Sequence, residues 1–425
     1  MALLQVALDL VNAHRAIQIA KEAIKGGADW LEAGTPLIKS EGMQIITELK
    51  KLGKKIVADM KTMDVGSVEV EMASKAGADI ICIMGVASDE TIKEGVKAAR
   101  RYGTEIMVDM MGVKDIKRRI KEVENMGADY ICVHTSIDEQ MRAKNPFSLL
   151  EDAVSVATVP VAVAGGINAE MAKEAVEKGA SIVIVGGAII KAENVERAAA
   201  MIKKGMEGAE VDRGAFKKYA ADEILEAFSL VSTCNVCDAM HNRGAMRGIF
   251  PVSKKARMAG RALTVKTMDG DWAKVVEAVD MASVGEIIVV EAGEGKRAVW
   301  GELATWSAFK KGIAGIVIDG AVRDVQIIKN VGIPVFARKV VPEAGEPKGY
   351  GEIGCEIVCG GQIVRKGDWI VGDENGVVVI PKEEAHAIAN RAVNVMEREN
   401  RIREEIKRGS TLSKVLNLER WEVRR

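Results

Sequence analysis

Short apolar runs alternate with longer amphipathic stretches through the first half of the chain, at a spacing of roughly 25 residues. The runs cover Leu4–Leu8, Trp30–Ala33, Lys55–Ala58, Ile80–Ile83, Glu105–Val108, Tyr130–Val133, Val159–Ala164 and Ile182–Val185. Each reads as a strand buried on both faces, as in a parallel sheet. The stretches between them carry apolar residues at helical spacing, as in Ala16–Lys25. A repeat punctuates the pattern: Gly27-Ala28-Asp29, Gly77-Ala78-Asp79 and Gly127-Ala128-Asp129, with Gly179-Ala180-Ser181 as a variant. Glycine at a helix C-terminus tolerates the left-handed conformation that ends the helix, so each repeat marks a helix-to-strand junction. Eight strands alternating with helices predict a (β/α)8 barrel. A doubly wound open sheet is the competitor, but its glycine-rich fingerprint is missing after the first strand, where Leu8-Asp9-Leu10-Val11-Asn12 stands.

The pattern ends near Lys204. The polar, glycine-rich segment from Gly205 to Gly214 reads as a linker, which sets a barrel at 1–208, a linker at 209–215 and a second domain at 216–425. That second part opens on a helical stretch from Phe216. Short strands follow at Gly260–Thr267, Glu286–Glu291, Gly315–Asp319, Val335–Ala337, Asp368–Gly372 and Gly376–Pro381, with at least two helices among them. The chain is therefore α/β, a barrel followed by a separate α/β domain. From Glu383 to Arg408 runs a highly charged helical pattern, read as a solvated surface helix, with an oligomer contact as the alternative.

Composition narrows the function classes. The 425 residues include 60 Lys and Arg against 61 Asp and Glu, which leaves no basic footprint for nucleic acid or an anionic membrane. Aromatic residues at 4% are too few for a base-stacking surface. No apolar stretch reaches the ~18 residues that span a bilayer, and the first run, cut by Asp9, lacks the basic start of a signal peptide. Six cysteines in so long a chain do not make a disulfide framework. A cytoplasmic protein is expected.

Active sites in barrels of this kind lie at the C-terminal strand ends. There the sequence places Asp9, Glu32, Asp59-Met60-Lys61-Thr62-Met63-Asp64, Asp109 and His134. So many carboxylates on one rim repel each other unless neutralised; Lys61 and a divalent cation, Mg2+ or Mn2+, would do so, with Glu32 and Asp59 as a hard-cation pair. Strands seven and eight end in Gly165-Gly166 and Gly186-Gly187, which let backbone N–H groups approach an anion, helped by a helix start after Asn168. A phosphorylated substrate follows. Singly, each residue has a plainer reading: a helix cap for an aspartate, a turn for a glycine pair, a buried histidine for His134.

The Asp-x-Lys-x-x-Asp run at 59–64 resembles the signature of the orotidine monophosphate decarboxylase suprafamily. Gln5-Val-Ala-Leu-Asp9, Glu32-Ala-Gly-Thr-Pro-Leu-Ile38, His134-Thr-Ser-Ile-Asp-Glu-Gln140 and Ala164-Gly-Gly-Ile167 resemble its hexulose-6-phosphate synthase branch, over about residues 1–205. The decarboxylase branch needs no metal and usually has lysine where Glu32 stands. The keto-gulonate-phosphate decarboxylase branch typically has arginine where Ile137 stands, and remains the alternative. The resemblance implies an aldolase that joins formaldehyde to ribulose 5-phosphate through an enediolate, with His134 as base and Lys61 and the metal stabilising charge. It also implies a homodimer in which Asp64 reaches the neighbouring site. Relatives often carry arginine where Gly187 stands, so the phosphate would rest on backbone donors or on Lys191.

In the second domain, Gly301-Glu302-Leu303-Ala304 opens a helical pattern, so its N–H groups could bind a carboxylate. Asp319-Gly-Ala-Val-Arg323-Asp324 follows a strand; arginine holds carboxylates bidentately and aspartate holds metals. From about Phe216 to Ala385 the chain resembles the group that joins the regulator of ribonuclease activity A to hydroxymethyl-glutarate type class II aldolases, with a swivelling-type α/β fold. That resemblance gives Arg323 a keto-acid carboxylate, Asp324 a metal, and the domain a trimeric ring; enzyme and regulator both stay open. Cys234, Cys237, Cys355 and Cys359 match zinc spacing only loosely, and ordinary buried cysteines are the preferred reading.

Overall fold

In a computed structural model of the chain, which describes residues 2–136, 146–209, 217–416 and 418, eight parallel strands close a barrel. They are β1 (Leu3–Leu8), β2 (Trp30–Ala33), β3 (Lys55–Thr62), β4 (Ile80–Met84), β5 (Glu105–Asp109), β6 (Tyr130–His134), β7 (Val161–Ala164) and β8 (Ile182–Val185). β8 pairs with β1 from Leu3 opposite Ile182 to Val6 opposite Val185. β7 begins later than its apolar run because Pro160 has no N–H to give the ladder.

Alternation along each strand makes two cores. Leu4, Val6 and Leu8 of β1 face the helices, against Ile19 and Ala23. Leu3 and Ala7 face inward with Val57, Ile80, Met107, Ile182 and their neighbours, which fill the barrel axis. The repeated tripeptides work at the other end from the site. Gly27, Gly77, Gly127 and Gly179 have φ of 97, 103, 101 and 93°, and the alanine after each donates its N–H back to the helix just ended. The carboxylates of Asp29, Asp79 and Asp129 then accept the N–H of Leu4, Ile56 and Ile106 at 2.7, 2.7 and 2.8 Å. The repeat thus fixes strand starts, a stability function of the lower face.

β3 runs four residues beyond the expected Ala58. Ala58 lies opposite Ile81 but Thr62 lies opposite Ile83, so four residues on β3 pass two on β4. This bulge contains Lys61, whose φ is +48°. Bulges re-aim side chains beside active sites, and this one carries the Asp59 and Lys61 side chains.

The contacts divide the chain into two units, Met1–Lys218 with Glu397–Arg425, and Tyr219–Met396. The second unit is a separate α/β domain. Strands Met258–Lys266, Ile287–Glu291, Gly315–Val322 and Val335–Val340 pair in parallel, and the hairpin Trp369–Asp373 with Gly376–Ile380 adds antiparallel beside the first. Leu263, Ile288 and Ile318 pack on one face of this sheet, Ala262, Val289 and Val317 on the other. The charged helix Ala385–Lys407 is not the solvated helix expected. Ala385, Ile388, Ala389, Ala392 and Val393 are buried, a single stripe at helical spacing that the surrounding charges obscured. Its residues from Glu397 onward count with the barrel. Among the described residues no helix is long and apolar enough to cross a membrane.

Candidate active site

The strand ends bring Asp59, Lys61, Asp109 and His134 into one chain of contacts. Lys61 Nζ lies 3.1 Å from Asp59 Oδ2 and 3.3 Å from Asp109 Oδ2. Asp109 Oδ2 also meets His134 Nδ1 at 3.0 Å, while its Oδ1 accepts the Met111 N–H at 2.9 Å. Burial alone would lower the Lys61 pKa, but the charges of Asp59 and Asp109 outweigh it and hold the ammonium well above its ordinary value. Burial likewise pushes Asp109 upward, and the His134 hydrogen bond and charge, with Lys61 and Met111, bring it below the usual carboxylate range.

On the opposite side, Glu32 is buried and accepts a hydrogen bond from Gln5 Nε2 at 2.6 Å. Burial first, then the charges of Asp59 and Asp9, drive its carboxyl well above the ordinary range, against the opposing Gln5 bond and Lys61. Asp59 is steadied by Thr35, whose Oγ1 lies 2.8 Å from its Oδ2. Asp9 keeps solvent access at the mouth yet is ringed by protein, which together with Asp59 raises it. Among the described residues no three His, Cys, Asp or Glu groups are arranged to hold a metal. Glu32 and Asp59 remain as a pair of carboxylates, a donor set that suits a cation retaining several waters.

Glycines let this rim close up. A Cβ on Gly34 would sit 2.3 Å from Asp9 Oδ1 and 3.0 Å from the Leu8 carbonyl oxygen. Gly34→Ala is therefore expected to displace Asp9 and cut turnover about ten-fold or more, with a modest loss of stability; kcat and thermal unfolding measured together check this. After β7, Gly165 and Gly166 have φ of 114 and 70°, and Asn168 Oδ1 caps the helix Ala169–Glu177 through the Met171 N–H. Gly186 and Gly187 follow β8 directly. Asp64 is exposed beyond the bulge, with its Oδ1 on the Val65 N–H; among the described residues it makes no contact with the other rim side chains. Val65 itself has φ +48° and is 56% exposed. Ile137 lies outside the described residues.

Gln5 and Thr35 stand inside the sequence motifs, but the sequence alone gives neither a role. Gln5 gave a signal: a polar residue in the inward phase of β1, two before Asp9.

In the second unit, Gly301 precedes the helix Glu302–Lys311 and a Cβ there would meet Asp324 Oδ2 at 2.6 Å. Asp324, at φ +58°, accepts the Glu302 N–H at 3.2 Å and lies 3.4 Å from Arg323 Nε. Arg323, Asp324 and Leu303 are exposed, while Gly301, Glu302 and Ala304 are half-buried, so these residues do gather at one place. The four cysteines do not. Cys237 packs with the helices around Phe228, whereas Cys355 and Cys359 pack with Met246 and Phe336.

Residues 2–202 match the family described as orotidine 5'-phosphate decarboxylase / HUMPS, and residues 233–379 match the RraA-like family described as Aldolase/RraA. A 3-hexulose-6-phosphate synthase of Bacillus subtilis (strain 168) is 42% identical over 204 residues, 47% of this chain and 97% of that protein. A 3-hexulose-6-phosphate synthase of Staphylococcus aureus (strain MRSA252) is 40% identical over 208 residues, 48% of this chain and 99% of that protein. A crystal structure of 3-hexulose-6-phosphate synthase is 38% identical, covers 48% of this chain and 99% of its own, and has a TM-score of 0.46.

Proposed function

The chain belongs, through residues 2–202, to the orotidine 5'-phosphate decarboxylase / HUMPS family, and on that footing we propose that its barrel is a 3-hexulose-6-phosphate synthase. The reaction is carbon–carbon bond formation, or its reversal, between formaldehyde and ribulose 5-phosphate. The observation that carries the reading is Lys61, held charged between Asp59 and Asp109, with Asp109 in turn on His134.

Glu32 and Asp59 are the groups that would hold Mg2+ or Mn2+, which when bound supplies charge stabilisation to oxygens that become anionic. The buried Glu32 carboxylate beside Asp59, with Gln5 as its hydrogen-bond donor, fits such an ion. The chain's own groups do the rest. With Nδ1–H given to Asp109, the His134 Nε2 lone pair takes the C1 proton of ribulose 5-phosphate. The Lys61 ammonium donates to the enediolate oxygen as charge grows there. The carbanionic C1 then adds to formaldehyde as its C=O π bond opens, and the new alkoxide takes the proton back from His134; Schiff-base chemistry is disfavoured because Lys61 stays protonated. Asp9 faces the sugar hydroxyls, and the N–H groups of Gly165, Gly166, Gly186 and Gly187 receive the phosphate. Formaldehyde consumption with ribulose 5-phosphate, with and without Mg2+, tests this. Folded chain without turnover would move the reading to 3-keto-L-gulonate-6-phosphate decarboxylase, whose substrate is then the one to try.

The homodimer is supported by exposed Met63, Val65, Val68 and Met72 around Asp64, an apolar edge that a second barrel would cover. Sedimentation at micromolar concentration checks it.

For the RraA-like unit, the gathering of Arg323, Asp324 and the Gly301–Ala304 turn favours a divalent-metal keto-acid aldolase or decarboxylase over a non-catalytic regulator. Arg323→Ala is expected to reduce oxaloacetate decarboxylation by about 10²-fold. Undetectable turnover in the intact chain would favour the regulator.

A further inference from the structure

One face of the helix Ala385–Lys407 and the residue after it carries Glu397, Arg401, Glu405 and Arg408, spaced four, four and three apart. All four meet the barrel unit. Arg401 is only 2% exposed, and its Nη1 donates to the carbonyl oxygens of Ala192 and Glu193 at 3.0 and 3.3 Å. Arg408 Nη2 donates to the same Glu193 oxygen at 2.7 Å. Glu405 receives Arg401 Nε at 3.1 Å and pairs with Arg15. Glu397 lies 3.6 Å from Lys191 Nζ.

The contacts of Glu397, Arg401 and Arg408 converge on the segment that follows β8. Gly186 and Gly187 begin it, and residues 191–193 end it. An ideal Cβ on Gly187 would stand 3.5 Å from Lys191 Nζ, so the missing side chain at 187 leaves room that the Lys191 ammonium borders. Burying a guanidinium is costly, and among the described residues Arg401 Nη2 even lacks a partner. An apolar residue would serve packing better, so the charge is there to hold carbonyls and not to fill space.

We infer that the stripe on this helix positions the β8 turn, with Arg401 as a positioning residue and Lys191 as the cation that takes the substrate phosphate. The inference rests on the proposed sugar-phosphate reading of the barrel mouth. It makes phosphate affinity depend on residues about 200 positions downstream of the loop they support.

The test uses the full chain with Arg401→Ala, Arg401→Lys and Lys191→Met. KM for ribulose 5-phosphate should rise about ten-fold in Arg401→Ala and Lys191→Met. At the same time kcat should stay within about two-fold and KM for formaldehyde unchanged, with Arg401→Lys recovering part of the loss. Inorganic phosphate provides a readout free of turnover: it should raise the Tm of the parent chain and do so less in both variants. Phosphate protection without any turnover would sink the synthase reading and leave this one standing. Turnover with unchanged KM in Lys191→Met would overturn it, as would equal phosphate protection in all chains. If Arg401→Ala does not fold, Lys191→Met carries the comparison.

Discussion

Lys61→Ala is expected to lower kcat for hexulose phosphate formation by at least about 10³-fold, with little change in KM for formaldehyde. The ammonium stands at the junction of two carboxylates, and among the described residues no other lysine or arginine pairs with either. Its neighbours make the loss worse. Without it Asp59 and Asp109 face each other unneutralised, and the His134–Asp109 contact loses its counterweight. Because the Lys61 pKa lies above its unfolded value, the pairing stabilises the fold wherever its carboxylate partners are ionised, in full up to about pH 10, and weakens above that. The variant should therefore unfold at lower temperature at pH 7, and activity must be read where unfolding is absent. Formaldehyde consumption in folded Lys61→Ala at more than about a tenth of the parent rate would remove lysine from the mechanism.

Glu32→Gln has the second-largest expected effect, and it separates function from stability. Turnover should fall to background, while the chain in a chelator at pH 7 becomes more stable by on the order of 2–8 °C in Tm. The sign follows from burial and from the Asp59 and Asp9 charges, which raise the folded carboxyl above its unfolded value. A raised acid is no burden below its unfolded pKa, near 4.3, and costs stability progressively as pH rises from there to the folded value. Glutamine does not titrate, so the gap between the two chains should close toward pH 4. Added Mg2+ should raise the Tm of the parent and leave Glu32→Gln unmoved. Equal metal protection in both chains would take Glu32 out of the cation site.

Much of this arrangement was legible in the sequence because barrels place chemistry at strand ends, and strand ends are visible as apolar runs that stop. Asp59, Asp109 and His134 each stand as the polar residue that ends a run. The bulge in β3 was not legible, since it depends on where β4 stops pairing rather than on any residue in β3. Gln5 and Thr35 stood inside the matched motifs, but neither role was legible, because each is a contact to a different element of the fold. The stripe at Glu397, Arg401, Glu405 and Arg408 misled the reading of its helix. Charge at helical spacing signals solvent unless carbonyl groups elsewhere in the fold are there to receive it.

The first unit is interrupted in the chain: residues 219–396 form the second unit before Glu397 returns to the first. During synthesis the eight barrel strands emerge long before Arg401 does. At ordinary rates of about 5–20 residues per second, roughly ten to forty seconds separate them. Throughout that interval the nascent barrel has its β8 turn without the guanidinium that holds the Ala192 and Glu193 carbonyls. The nascent protein thus matures in two stages, with the β8 turn of the barrel completed last.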